Sequence, residues 1–196
     1  MREVELKSVV PDPERTIAAL RAAGAHSVLE GRLYDSRYDT QERTLVARDH
    51  VLRLRVFTGG PESYSTLDWK GPTSFVDGYK VREELSTSVG DADVLARLME
   101  GLGYMVIREI DRHISQFECR GATVRIERYP RMDALVEVEG APAAIEAAIA
   151  DTGLPRAGFT SERLRDFVMR FESRTGGRAA LCARELAGDY RYAADA

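Results

Sequence analysis

The sequence predicts an α+β fold in which an eight-stranded antiparallel closed β-barrel is flanked by helices. Three observations support this fold class. About eight segments alternate between apolar and polar residues, which is the spacing of strands with two different faces. Short turns or short helices join most of these segments, as antiparallel strands allow. The helices carry apolar stripes that need a surface to cover. Eight such strands most commonly close into a barrel that side chains can line.

The alternation begins at the first residues, where three charged side chains share one face of a predicted strand: Glu3, Glu5 and Lys7. The other predicted strands cover residues 27–40, 51–56, 64–70, 79–86, 104–118, 123–128 and 133–139. Capping residues and prolines predict four helices, which begin near Asp12, Asp91, Pro142 and either Thr160 or Ser161.

The composition is typical of a globular protein, with 44% hydrophobic and 31% charged residues in a chain of 196. No apolar run of about 18 residues predicts a membrane span, and the charged start does not resemble a signal peptide. Cys119 and Cys182 do not make a disulfide framework, so we expect a cytoplasmic protein with no membrane partner. The net charge of -4 argues against nucleic acid as the main partner.

Lysine is rare in this chain and occurs only on the polar faces of predicted strands. Of the 28 lysines and arginines, only Lys7, Lys70 and Lys80 are lysine, so the other 25 are arginine. A chain that uses arginine almost everywhere keeps lysine where a compact ammonium is required. Coincidence among three residues is the alternative interpretation.

The polar strand faces are predicted to point into the barrel. If the apolar faces filled the interior, the amphipathic helices would have nothing apolar to pack against. With the apolar faces outside, the helices cover them and the interior becomes a wet, charged cavity. The side chains predicted to line this interior are Glu3, Glu5, Lys7, Arg53, Arg55, Lys70, Lys80, Arg82, Glu84, Arg125, Glu127, Glu137 and Glu139.

The basic and acidic side chains in this predicted interior suit two different components of one ligand. Several lysines and arginines suit a polyanion, because arginine binds phosphate oxygens with two parallel donors and lysine acts as a point charge. Carboxylate pairs such as Glu3/Glu5 and Glu137/Glu139 suit the hard cations Mg²⁺ or Mn²⁺. Carboxylates would repel a phosphate chain unless a metal lay between them. The pattern therefore predicts a metal–polyphosphate complex inside a barrel.

Six short motifs together resemble the CYTH family, the triphosphate tunnel metalloenzymes. This family includes class IV adenylyl cyclases, thiamine triphosphatases and inorganic triphosphatases. The first motif, Glu3-Val4-Glu5-Leu6-Lys7, resembles the family's E-x-E-x-K signature. The others, in chain order, are Tyr38-Asp39-Thr40, Arg53-Leu54-Arg55, Trp69-Lys70-Gly71-Pro72 with Lys80-x-Arg82-x-Glu84, Arg125-Ile126-Glu127, and Glu137-Val138-Glu139.

The resemblance implies a role for each of these charged residues. It implies that one or two divalent ions, Mg²⁺ or Mn²⁺, are held by Glu3, Glu5, Glu137 and Glu139, with Glu127 and Glu84 nearby. It implies that the triphosphate is bound by Lys7, Arg53, Arg55, Lys70, Arg82, Arg112 and Arg125. The candidates for orienting the attacking water are Glu127, Lys70 and Lys80. The resemblance covers about residues 1–172 and implies a CYTH domain over residues 1–175, and the sequence that follows predicts a C-terminal helical tail over residues 176–196.

The sequence departs from the family pattern in two places. Where the family often has a basic-x-basic pair, this chain has Ile110-Asp111-Arg112, with Arg108 two positions earlier. Glu127 stands where the family usually has aspartate, and its extra methylene would shift a metal or a base by about an ångström.

Three functions follow from the resemblance. The first is a metal-dependent hydrolase acting on inorganic triphosphate, thiamine triphosphate or a nucleoside triphosphate, in which the protein mainly positions the substrate and neutralises charge. The second is a class IV adenylyl cyclase, which makes cyclic AMP and diphosphate from ATP and needs a purine pocket that no motif here reveals. The third is a non-catalytic polyphosphate- or nucleotide-binding module. The expected partner is the small-molecule triphosphate, and a homodimer is compatible with a small barrel.

Overall fold

The computed structural model describes residues 2–59 and 62–192. The strands are β1 (Arg2–Val9), β2 (His26–Asp39), β3 (Val51–Gly59), β4 (Glu62–Lys70), β5 (Ser74–Val76), β6 (Tyr79–Val89), β7 (Met105–Cys119), β8 (Ala122–Arg128) and β9 (Leu135–Glu139). The helices are α1 (Pro13–Ala22), α2 (Ala92–Gly101), α3 (Pro142–Asp151), α4 (Leu164–Thr175) and α5 (Ala183–Leu186). Single 3₁₀ turns occur at Val46–Arg48 and Arg156–Gly158.

Eight of these strands form a closed antiparallel barrel, which confirms the predicted fold class. The strand order is β1-β9-β8-β7-β2-β3-β4-β6, and pairing of β6 with β1 closes the ring. At this closure Glu5 lies opposite Lys80, so side chains of opposite charge stand together on one face. The short strand β5 pairs with β6 outside the ring and was not predicted. Its three residues are too few to show an alternating pattern.

Helices cover the outward faces of the barrel strands, as predicted. Helices α1 and α3 place Leu20 and Ile145 in one buried apolar cluster with Leu6, Val124 and Val138 of the barrel. This packing removes the apolar strand faces from water and leaves their charged faces to the barrel interior. None of the helices in the described ranges has both the length and the apolar content to cross a membrane.

One end of the barrel interior is filled with apolar side chains. Leu33, Phe57 and Ile114 form a buried cluster there, and the Phe57 ring stacks on Tyr64 with their centroids 5.1 Å apart. By strand register these residues lie on the same face as the interior charges of β2 and β3. The charged part of the interior therefore borders an apolar layer on one side.

A close approach of strands β2 and β3 beside this apolar layer requires glycine at position 31. A methyl group on Gly31 would lie 2.4 Å from the Thr58 carbonyl oxygen and 2.6 Å from the Cα of Gly59. We expect Gly31→Ala to lower the stability by about 2 kcal/mol and Tm by about 5 °C, because the backbone must move to accept the methyl group. Thermal unfolding measures this, and Gly101→Ala is the control because its methyl group meets open space. Equal Tm values for the two variants would contradict the prediction.

The start of α4 corrects one prediction. Thr160 and Ser161 do not cap this helix; Arg163 occupies the N-cap position, and its backbone N–H donates to Asp166 at 2.9 Å. The reason is that Thr160 pairs with Lys7 of β1 through two backbone hydrogen bonds of 2.8 Å. This pairing holds the segment extended, so the helix begins later.

The segment before α5 packs against the barrel. Ala180 and Leu181 are fully buried, and the Leu181 carbonyl accepts a 2.7 Å hydrogen bond from the Asp111 backbone N–H on β7. Of the predicted C-terminal tail, residues 193–196 lie outside the described part of the chain. The division into a domain of residues 1–175 and a tail stays a prediction.

Candidate functional site

The barrel interior contains a cavity of about 790 Å³. Nine predicted site residues line it: Glu5, Lys7, Arg53, Lys70, Lys80, Arg82, Arg112, Glu127 and Glu137. The other five, Glu3, Arg55, Glu84, Arg125 and Glu139, lie beyond this lining. Four of those five form ion pairs with lining residues, because Glu3 and Glu84 contact Lys70, Arg55 contacts Asp35 and Arg125 contacts Glu137. The structure therefore joins the predicted site residues, except Arg82 and Glu139, into one network of ion pairs.

The three lysines neutralise both carboxylates of β1 and the Glu137 carboxylate of β9. The Lys7 ammonium lies 2.6 Å from Glu5 and 2.5 Å from Glu137, and these two carboxylates raise its pKa although burial lowers it. Lys70 lies 2.5 Å from Glu3. Lys80 also contacts Glu5, but burial and the Lys7 charge lower the pKa of Lys80.

Lys80 therefore has a lower pKa than an ordinary lysine, because burial and the nearby Lys7 charge disfavour its charged form. Its side chain lines the cavity and faces the interior opposite Glu5. A lysine with a lowered pKa can exchange a proton with a reacting group more readily than an unperturbed lysine.

Asp35 is the central counter-ion of the arginines, and the sequence analysis missed it. Its carboxylate lies 3.6 Å from Arg53, 3.4 Å from Arg55 and 3.3 Å from Arg112. Burial raises the pKa of Asp35, but Arg112, Arg55 and Arg53 outweigh burial and hold it well below its usual range. The signal in the sequence was the alternate spacing of Leu33, Asp35 and Arg37 within one long strand.

Glu127 is tightly bound by neighbouring donors. The Arg112 Nε donates to its carboxylate at 2.8 Å, the Tyr129 hydroxyl donates to its other oxygen, and Arg125 lies 3.6 Å away. Burial raises the pKa of Glu127, but Arg112 and the other donors lower it below the ordinary value. The carboxylate is therefore ionised and poorly suited to accept a proton.

Arg82 joins two loops at the mouth of the cavity. Its guanidinium donates to the carbonyl oxygens of Gly71 at 2.6 Å and Asp49 at 2.5 Å. The Asp49 side chain in turn accepts from the Thr73 backbone N–H at 2.7 Å and from Arg163 at 3.1 Å. These bonds hold the loop before β3 against the start of α4, which also lines the cavity.

The predicted metal ligands supply suitable donors but no ready-made ligand set. Within the described ranges, no three histidine, cysteine or carboxylate side chains are arranged to hold a metal ion. Lysines and arginines occupy the oxygens of Glu3, Glu5 and Glu137. Glu139 differs, because burial and the charges of Glu137 and Glu3 raise its pKa to about 7.

A cation would relieve this repulsion between carboxylates. Oxygen donors are what Mg²⁺ and Mn²⁺ prefer, so the chemistry of the donor set fits a hard divalent ion. The ion would have to compete with the lysine ammoniums for Glu3 and Glu5.

This chain therefore belongs to the class of closed antiparallel barrels whose interior is lined by paired basic and acidic side chains. Residues 1–149 match the model of the CYTH domain. The chain is a member of the CYTH family. No curated protein sequence matches the chain.

Solved structures share this fold at low sequence identity. A "putative adenylate cyclase" from Vibrio parahaemolyticus has a TM-score of 0.72 and 20% identity, and the alignment covers 85% of this chain and 97% of that chain. The PH1819 protein from Pyrococcus horikoshii has a TM-score of 0.71 and 19% identity, covering 86% and 98%. HpAC1 from Hippeastrum, a "putative adenylyl cyclase" described as having a dominant triphosphatase activity, has a TM-score of 0.62 and 14% identity, covering 88% and 95%.

Proposed function

We propose that this protein is a metal-dependent hydrolase of triphosphate-containing substrates. The CYTH family is in general metal-dependent. The observation that supports the proposal is the 790 Å³ cavity, in which lysines and arginines line the same interior as a group of carboxylates. A triphosphate can accept hydrogen bonds from the lysines and arginines. A divalent ion can bind the carboxylates, which would otherwise repel the triphosphate. The activity described for HpAC1 favours hydrolysis over cyclisation by analogy.

Different residues of the chain bind the substrate and transfer the proton. Lys7, Arg53 and Arg112 bind phosphate oxygens and fix the chain in line for attack by water. Mg²⁺ or Mn²⁺, held by Glu3, Glu5, Glu137 and Glu139, would neutralise charge that develops on the phosphate oxygens. The Lys80 ammonium donates a proton to the leaving phosphate oxygen as the water oxygen bonds to phosphorus and the phosphoanhydride bond breaks, because its lowered pKa makes that proton easier to release, and the proton of the attacking water passes to solvent.

The test measures every product formed with Mg²⁺ or Mn²⁺ from tripolyphosphate, thiamine triphosphate or ATP, resolved by chromatography. We expect phosphate release that Glu5→Gln reduces by at least about 100-fold, since this change removes a metal ligand. Glu30→Gln is the matched control, because Glu30 is exposed and far from the predicted ligand set in sequence. Failure to form any product from these substrates would refute the hydrolase and leave the non-catalytic binding module.

An adenylyl cyclase is the second candidate, and one observation favours it. Phe75 lies opposite Lys80 in register, lines the cavity and is 60% exposed. An exposed aromatic ring beside a phosphate site offers a surface on which a purine can stack. Cyclic AMP and diphosphate as the products from ATP would establish this activity in place of hydrolysis. The cytoplasmic location and the homodimer stay parts of the proposal, to be tested by fractionation and by light scattering.

A further inference from the structure

Arg37 stands in a row of three arginines across the barrel wall. It belongs to β2, and in register it lies opposite Arg53 on β3 and Arg108 on β7. The three side chains therefore project from neighbouring strands on the same face of the sheet. Arg37 also lines the cavity. None of the motifs that indicated the function includes it.

Its two neighbours have carboxylate partners. Arg53 lies 3.0 Å from Asp68 and 3.6 Å from Asp35, and Arg108 lies 3.6 Å from Glu185. Each of these arginines is buried, so a nearby carboxylate is what makes its charge tolerable there.

Arg37 lacks such a partner. Over residues 2–59 and 62–192, no carboxylate forms an ion pair with Arg37, and its Nε is buried without a hydrogen-bond partner. Burial lowers the pKa of Arg37 to about 10, and the charges of Arg53 and Arg108 contribute in the same direction. Asp35 opposes this shift, but the Asp35 carboxylate already pairs with three other arginines.

We propose that Arg37 binds a phosphate group of the substrate and sets how strongly the cavity selects polyphosphate chains. This inference rests on the proposed triphosphate function of the cavity. A phosphate beside Arg37 accepts two parallel hydrogen bonds from the guanidinium and supplies the negative charge that Arg37 lacks. The chemical class of the ligand is a phosphoanhydride chain, because Arg53, which is in register with Arg37, and Lys70, which lines the same cavity, can bind further phosphate groups.

The experiment compares Arg37→Met with the parent protein by thermal unfolding and by calorimetric titration with tripolyphosphate in the absence of metal. Without ligand, we expect the variant to have an equal or higher Tm, because an unpaired charge has been removed. With tripolyphosphate, we expect its affinity to fall at least about tenfold and its ligand-induced rise in Tm to shrink. Arg37→Lys should recover part of the affinity, because it keeps the charge without the two parallel donors.

Arg97→Met is the matched control, because Arg97 is an exposed arginine on α2 and does not line the cavity. Unchanged affinity of Arg37→Met for tripolyphosphate would overturn the proposal. A large loss of Tm in both Arg37→Met and Arg37→Gln without ligand would also overturn it, since that result assigns Arg37 a structural role. Orthophosphate and citrate are the comparison probes. If Arg37→Met loses as much affinity for citrate as for tripolyphosphate, Arg37 belongs to a general anion site rather than to one for polyphosphate.

The titration tests the inference about Arg37, whereas phosphate release tests the proposed function, so either can fail without the other. If the parent protein binds tripolyphosphate through Arg37 but releases no phosphate with metal, the hydrolase fails and the inference stands. If the parent protein hydrolyses triphosphates and Arg37→Met binds them equally well, the inference fails and the hydrolase stands.

Discussion

Glu139→Gln is expected to reduce metal-dependent triphosphate hydrolysis by at least about 100-fold while leaving the metal-free protein at least as stable as the parent. The physical reason is that Glu139 forms no ion pair with the described residues and is repelled by Glu137 and Glu3, which with burial raise its pKa to about 7. Glutamine removes this repulsion and also removes an oxygen ligand for the metal. Phosphate release at several Mg²⁺ concentrations, together with thermal unfolding without metal, measures both effects.

Glu137→Gln is the informative comparison for this prediction. Glu137 pairs with Lys7 at 2.5 Å and with Arg125, so its replacement breaks buried ion pairs as well as a metal ligand. We expect both variants to lose activity but only Glu137→Gln to lose stability. Full activity of Glu139→Gln at every Mg²⁺ concentration would remove Glu139 from the metal site.

Arg112→Met is expected to destabilise the protein by about 3–5 kcal/mol and to lower Tm by about 10 °C or more. Arg112 is buried between Asp35 at 3.3 Å and Glu127 at 2.8 Å. Its loss leaves two carboxylates in the interior with fewer compensating charges, because Arg53, Arg55 and Arg125 already pair with other carboxylates. Urea or thermal unfolding of the two proteins measures the difference.

The control for Arg112→Met is an arginine whose ion pair lies in solvent. Arg174 pairs with Asp133 at 2.6 Å, but its side chain is 61% exposed, so we expect Arg174→Met to cost less than about 1 kcal/mol. Arg112→Lys should retain part of the stability, because an ammonium preserves the charge. A loss as small for Arg112→Met as for Arg174→Met would show that water compensates the interior charges.

The fold and most of the predicted site could be read from alternation within the strands. Within each of these short segments every second residue is polar, as around Lys7, Arg53 and Lys70. The polar face of each strand is therefore visible from the sequence alone. Because amphipathic helices need an apolar surface, the charged face had to be the inner one. The structure confirms that arrangement, whereas the roles of the individual residues stay predictions.

The features that sequence analysis missed depend on contacts between distant segments. Asp35 and Arg37 lie in a long strand, and their importance becomes visible only when β3 and β7 bring other arginines beside them. Thr160 is a good capping residue locally, but its backbone pairing with Lys7 overrides that preference. Such pairings join residues far apart in the chain, so no local pattern reports them.

The apolar layer of Leu33, Phe57 and Ile114 borders the charged part of the barrel interior. A phosphate group placed against these side chains would lose its hydration without gaining a hydrogen bond, which is costly. The layer therefore disfavours movement of an anionic chain past it, and favours a position of such a chain among the lysines and arginines that line the cavity.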